Sequence, residues 1–245
     1  MCTLERSAKQ SATGADKTTS PVFAPMRLVV DEARTGSENM AIDQQLLTAA
    51  EPVVRLYGWR PACVSLGYAQ PEGDVDADAA RAAGLDIVRR PTGGGAILHE
   101  EDEVTYCVVL PRGLGPADLF GSYRFIAGGV VETLRMLGIE SSFVEGHAGR
   151  DPLCYLREEG VSVAVGGRKI SGGAQKRTKQ AVLQHGTILL SRRTALLARL
   201  FRVEATRVEE NVACLHDFQP RLRRQDVLDA AKVGFVRALT KPVVA

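Results

Sequence analysis

Two spacings of apolar residues run through the chain, and each predicts the element that would bury them. In 103–110 (EVTYCVVL), Val104, Tyr106, Val108 and Leu110 fall on alternate positions, which predicts a half-buried strand. RLVV, directly after Met26, reads as a first strand, and VVRLYGW (53–59), CVSLGYA (63–69) and AVLQHGTILL (181–190) read as further strands. VSVAV and RKIS flank Gly166-Gly167, which predicts two strands joined by a tight two-residue turn. Helical spacing appears elsewhere. Thr35 and Glu38 have capping-box spacing ahead of Ile42, Leu46 and Ala49 on one face. DADAARAAG (76–84) predicts a helix closed by Gly84, and 118–138 a long helix ending at Gly138. From about Arg223 to Leu239, Val227, Ala230, Ala231 and Phe235 make a last helical face, with RLRR (221–224) as its solvated start.

Strands outnumber helices, short turns join most of them, and strict βαβ alternation is absent. The expected fold is therefore α+β: a mixed, largely antiparallel sheet flanked by helices. Nothing marks a boundary between 26 and 245, so one domain is expected there. Residues 1–25, rich in Ser, Thr, Ala and Lys without periodicity, read as a disordered tail.

Composition narrows the function classes. Among 245 residues, 31 Lys and Arg against 29 Asp and Glu leave a net charge of +2, too little for the basic stripe of a nucleic-acid binder. No apolar run is long enough to span a bilayer, and the first residues lack the apolar stretch of a secretory signal, so a cytoplasmic protein is expected. The five cysteines are widely spaced with no CxxC pair, which argues against a disulfide framework or a cysteine zinc site. No metal site is expected from the histidines either.

Two glycine-rich motifs carry the candidate chemistry. In Arg89-Arg90-Pro91-Thr92-Gly93-Gly94-Gly95, consecutive glycines let backbone approach a ligand and turn N–H groups toward an oxyanion or carbonyl, with Arg90 adding charge. A bare triple glycine is equally consistent with a flexible turn. It matches neither the dinucleotide fingerprint nor a P-loop. In Gly167-Arg168-Lys169-Ile170-Ser171-Gly172-Gly173-Ala174-Gln175, a lysine follows the tight turn, a pattern that also suits a surface hairpin.

Taken in chain order, Asn39-Met40-Ala41-Ile42-Asp43, Leu56-Tyr57-Gly58-Trp59, Ser65-Leu66-Gly67-Tyr68, RRPTGGGAILHEEDEVTY, GRKISGGAQKR and LQHGTILL resemble the lipoate–protein ligase and octanoyltransferase family, which shares its catalytic fold with biotin protein ligases. The resemblance implies an acyl chain held in a tunnel beside the glycine loop and Lys169 against the acyl carbonyl. It also implies substrate contacts from Arg90, Thr92, Gly93, Gly94, Gly95, Ala96, His99, Gly172, Ala174, His185 and Gly186. For His99 and His185 the expected role is structural, bonding the glycine loop or the surroundings of the lysine. Two activities occur on this fold. Ligases activate free lipoate with ATP, and with Mg, to an acyl-adenylate. Transferases move octanoyl from acyl carrier protein through a cysteine thioester, with no cofactor. Both deliver to a lysine of a lipoyl domain or glycine-cleavage H protein.

Cys154, fifteen residues before Lys169, has spacing similar to the nucleophile of LipM-type octanoyltransferases. Cys63 and Cys107 lie in strand patterns and read as core. A free thiol with a pKa of ~8.5 is only a few per cent ionised at neutral pH. An ammonium about 4 Å away is worth at most about 4 kcal/mol at an effective dielectric of about 20. Solvation would leave one or two pKa units of activation, at ~1.4 kcal/mol each. Lys176, Arg177 and Lys179 are candidates to steer an acidic carrier, or a solvated turn. The sequence departs from many LipM-type relatives in having Tyr155-Leu156-Arg157-Glu158 after the cysteine and Gly95 where an arginine often stands. The triple glycine also suits a ligase, so ATP-dependent lipoate ligation is the alternative, and an acyl-binding relative without turnover is a third reading.

Overall fold

The computed structural model describes residues 26–148 and 151–240; the tail expected at 1–25 lies outside them. Among the described residues, ten strands and six α-helices follow in the order β1 (Arg27–Arg34), α1 (Gly36–Ala49), β2 (Val53–Trp59), β3 (Cys63–Leu66), α2 (Ala77–Ala82), β4 (Asp86–Arg89), β5 (Ile97–His99), β6 (Val104–Pro111), α3 (Leu119–Met136), β7 (Ser142–Ala148), β8 (Glu158–Val165), β9 (Arg168–Arg177), β10 (Ala181–Ile188), α4 (Thr194–Phe201), α5 (Ala205–Asn211) and α6 (Arg224–Leu239). The large sheet runs β1-β2-β6-β10-β9-β8-β7, and a small one runs β4-β3-β5. Only β1–β2 and β3–β4 pair in parallel, so the α+β fold is largely antiparallel as expected. No helix among the described residues is long and apolar enough to cross a membrane.

Local chemistry sets the element ends. Thr35 Oγ1 accepts the Glu38 N–H while the Glu38 carboxylate accepts the Thr35 N–H, the predicted capping box of α1. Asp76 and Asp118 cap α2 and α3 in the same way with one side-chain bond each. Gly166 and Gly167 both have positive φ (57° and 78°), the backbone of a turn whose twist matches its flanking strands.

The sheet is covered on both faces, which corrects the half-buried expectation for β6. Val104, Tyr106, Val108 and Leu110 pack toward α3 and α6, while Cys107 and Val109 pack toward α1, so the strand is buried from Val104 to Leu110. A third cluster joins the small sheet to α2, α4 and α5 and contains Cys154 and Tyr155. β7, α4 and α5 had no expectation, and β3 stops at Leu66, leaving 67–69 as a turn. The RLRR segment is not simply solvated: the Arg224 guanidinium, half-buried, donates from Nε to the Glu103 carbonyl at 3.0 Å.

Candidate active site

Three segments converge: the glycine loop after β4, the short 3-10 turn Cys154–Leu156, and the start of β9. Leu153, fully buried, anchors the second segment. Its backbone is laced to the loop: Ala96 N–H donates to Pro152 O at 2.8 Å and Cys154 N–H to Ala96 O at 2.9 Å. The contact leaves no space at Gly95, where a Cβ would fall 2.9 Å from both Cys154 N and Pro152 O.

Lys169 is placed from the other side. The β8–β9 register shifts between Val163–Ser171 and Ala164–Lys169, a bulge that re-aims the side chain. Its backbone oxygen accepts Ala213 N–H at 2.9 Å. The ammonium donates to Cys154 O at 3.0 Å and Arg157 O at 3.1 Å. A Cβ built on Gly172 would stand 2.8 Å from Lys169 Cε, 3.2 Å from its Nζ and 4.0 Å from Cys154 Sγ, so a bare glycine is what lets lysine and thiol share this corner.

Cys154 lies where two cavities meet. The inner one is narrow, about 10 Å³, and is bounded by Met40, Tyr57, Trp59, Ile97, Ala174 and Cys154, with Arg90, His99, His185 and Gly186 also on its wall. The outer one, about 220 Å³, is bounded by Gly93, Gly94, Lys169, Gly173, Gln175 and Cys154. Among the described residues, no protein acceptor takes the N–H of Gly93, Gly94 or Gly95.

Arg90 builds the loop. Its guanidinium, 2% exposed, donates to the carbonyls of Ser65 (3.0 Å), Gly93 (2.6 Å) and Gly95 (2.7 Å) and to Thr92 Oγ1 (3.1 Å). Two buried chains hold this arrangement. In the first, Thr92 Oγ1 meets His185 Nε2 at 2.7 Å and His185 Nδ1 meets Asp43 Oδ2 at 2.9 Å. Asp43 also accepts from Arg55 (2.9 Å) and Tyr57 (3.0 Å). Burial pushes His185 below its ordinary pKa, against the Asp43 carboxylate that favours its charged form. The neutral ring then donates Nδ1–H to Asp43 and accepts the Thr92 hydroxyl. In the second chain, His99 bonds Ser65 Oγ and Glu103 Oε1, both at 2.8 Å, and stacks on Trp59 with 3.9 Å between ring centroids. His185 thus touches the loop directly, through Thr92, and His99 reaches it through Ser65 and Arg90.

The structure therefore brings Cys154, Lys169, Gly93, Gly94, Ala174, His185 and Gly186 onto cavity walls, and places Thr92, Gly95 and Ala96 behind them as framework. Gly172 is the open corner beside Lys169. Asp43, Ser65 and Glu103 were not expected as site residues. Ser65 carried a signal, a polar residue between the apolar Val64 and Leu66, whereas Asp43 and Glu103 lie beside polar or charged neighbours and carried none. Of the candidate steering cations, Arg177 turns inward to Ser122 Oγ and the Ala117 carbonyl, whereas Lys176 lies over the ring of Tyr68.

Known proteins share this framework. A profile of the lipoyl protein ligase A/B catalytic domain matches residues 35–235. An octanoyltransferase LipM from Symbiobacterium thermophilum is 37% identical over 238 residues, covering 87% of this chain and 86% of its own. The crystal structure of a lipoate-protein ligase A bound with ATP superposes with a TM-score of 0.76 at 26% identity, over 88% of this chain and 86% of that one. A bi-partite lipoate protein ligase from Thermoplasma acidophilum, studied with its E2 lipoyl domain, gives 0.72 at 27% identity, over 87% and 83%.

Proposed function

The chain belongs to the lipoyl protein ligase A/B catalytic-domain family, and from that premise we propose that it is an octanoyltransferase of protein lipoylation that works through an acyl-Cys154 thioester. Its donor is octanoyl-acyl carrier protein and its acceptor the lysine of a lipoyl domain or glycine-cleavage H protein, both met in the cytoplasm. The observation that carries this reading is the position of Cys154, on the boundary between an inner cavity with aromatic and aliphatic walls and an outer one bearing Lys169.

The donor's carbonyl enters beside the thiol with its alkyl chain in the inner cavity. At ~0.8 kcal/mol per buried methylene, an eight-carbon chain gains about 5 kcal/mol there. Lys169, fixed by two carbonyls, draws the acyl carbonyl oxygen. The Cys154 S–C bond forms, charge develops on oxygen against Lys169 and the free loop N–H groups, and the carrier thiolate leaves with the proton that Cys154 gave up. In the second half, a neutral lysine amine attacks the thioester carbon. The C–S bond breaks, the amide forms, and the amine's proton returns to sulfur. Neither ATP nor a metal takes part.

The test incubates the protein with octanoyl-acyl carrier protein and an apo lipoyl domain, with and without ATP, for wild type and Cys154→Ala. Transfer without ATP, an octanoyl adduct on Cys154 by intact mass, and loss of both in the variant are expected. Transfer from free acid that needs ATP and survives the substitution would establish the ligase instead, with the glycine loop holding the adenylate phosphate. Retained binding with no transfer would leave an acyl-binding relative.

A further inference from the structure

Beside residues that line the outer cavity stand an aromatic and a cation that the transfer chemistry leaves unused. Tyr68 is 63% exposed, yet its backbone is fixed. Its N–H donates to Thr92 O at 2.8 Å, and Arg89 Nη1 gathers the carbonyls of Gly67, Tyr68 and Gln70. The preceding Gly67 lies so close to the loop that a Cβ would fall 2.0 Å from Gly94 O. The backbone that carries the ring is thus pinned to the glycine loop. Opposite it, Lys176 directly follows Gln175, which lines the outer cavity, and its Nζ stands 4.9 Å from the centre of the Tyr68 ring. The pair therefore bridges the loop and β9 at the edge of the cavity that holds Cys154 and Lys169. Among the described residues Lys176 has no carboxylate partner, whereas Arg89 faces Glu72 and Arg177 is occupied by Ser122, Gln175 and Ala117.

We propose that Tyr68 and Lys176 form a docking subsite for the phosphopantetheine arm of the acyl donor, Lys176 binding its phosphodiester and the Tyr68 ring its gem-dimethyl segment. The inference rests on the thioester-transfer reading above. The chemistry of the arm matches the pair: a single negative phosphodiester adjoins a compact apolar carbon that carries two methyl groups, and amides continue toward the thioester. An ammonium beside an exposed ring offers one charge and one apolar surface side by side. An acidic protein face would call for several free cations, and Arg177, the next residue along, has its guanidinium turned inward.

The test uses two small donors that differ only in the phosphate, octanoyl-phosphopantetheine and octanoyl-pantetheine, beside octanoyl-acyl carrier protein. It follows formation of acyl-Cys154 by intact mass. Wild type should favour the phosphorylated small donor by about fivefold in kcat/KM, the scale of one exposed ion pair. Lys176→Gln should remove that preference, while Tyr68→Ala should slow both small donors alike. KM for the lipoyl domain should stay the same in both variants. A wild type that does not distinguish the small donors, or a preference that survives Lys176→Gln, overturns the proposal. So does a Lys176→Gln defect confined to the carrier-protein donor, which would assign the lysine to the carrier's acidic surface. Failure of wild type to form acyl-Cys154 from any donor would instead refute the thioester reading itself, so the two failures are distinct.

Discussion

At the scale of single residues, the site depends on buried polar groups whose protonation is set by what surrounds them. His185 is the clearest case. Its folded pKa lies below the ordinary value of about 6.5 because burial disfavours the imidazolium. The unfolded chain therefore binds a proton that the folded one refuses, and stability contributed by the neutral ring is lost as pH falls below about 6.5. Thermal denaturation between pH 7.5 and 5.5 should show a falling midpoint, and His185→Gln should flatten that slope. An unchanged slope in the variant would mean that the ring is not held neutral. Glu100 acts in the opposite sense, since burial raises its carboxyl despite Arg193, so the difference between wild type and variant is the quantity to read. Cys154 and Lys169 were legible from their spacing and motif. Asp43 and Glu103 were not, because carboxylates in those segments look like surface charges until the fold supplies Arg55, Tyr57 and His185 for the one and His99 and Thr105 for the other.

At the scale of elements, the pairing of β9 with β10 is made possible by missing side chains. Gly186 faces Gly173, and a Cβ at 186 would fall 2.2 Å from Gly172 O, a backbone atom that cannot step aside. At 172 the nearest atoms belong to the flexible end of Lys169. The two alanine substitutions should therefore separate. Gly186→Ala should destabilise the protein by about 1–3 kcal/mol, read in urea unfolding. Gly172→Ala should leave stability near that of wild type but slow acylation of Cys154 by displacing the ammonium. Equal losses of stability would contradict the geometry. Periodicity located most of these elements correctly, since the alternation in 103–110 and the Gly166-Gly167 turn depend on local backbone preferences. It missed the burial of both faces of β6 because a strand does not record how many layers cover it. It missed β7, α4 and α5, elements of only seven or eight residues, although α4 does place Leu197, Leu200 and Phe201 on one buried helical face.

At the scale of the whole molecule, chemistry and stability are built on different faces of one sheet. α3 and α6 cover one side and approach through small residues: a Cβ on Gly234 would fall 2.7 Å from Thr133 N, and one on Gly129 2.3 Å from the Phe235 ring. The inner cavity lies on the other side, with α1 and the small sheet, while Tyr123 of α3 reaches the wall of the outer one. Gly234→Ala should lower the unfolding midpoint by several degrees, at about 1–3 kcal/mol, without changing kcat of the protein that remains folded. A loss of kcat at full stability would show that the two faces are coupled. The α+β class could be read from strand number and turn length, whereas the division of labour between faces could not, because it arises from contacts between residues more than a hundred positions apart.

The two hydrogen bonds between Ala96 and the segment from Pro152 to Cys154 have a kinematic consequence. The sulfur and the amides proposed to receive the oxyanion are carried on strips of chain stitched to one another. A breathing motion that lifts one strip drags the other along. Their mutual alignment is thereby a property of the stitch itself, and it persists while the walls around it widen to admit a long acyl chain.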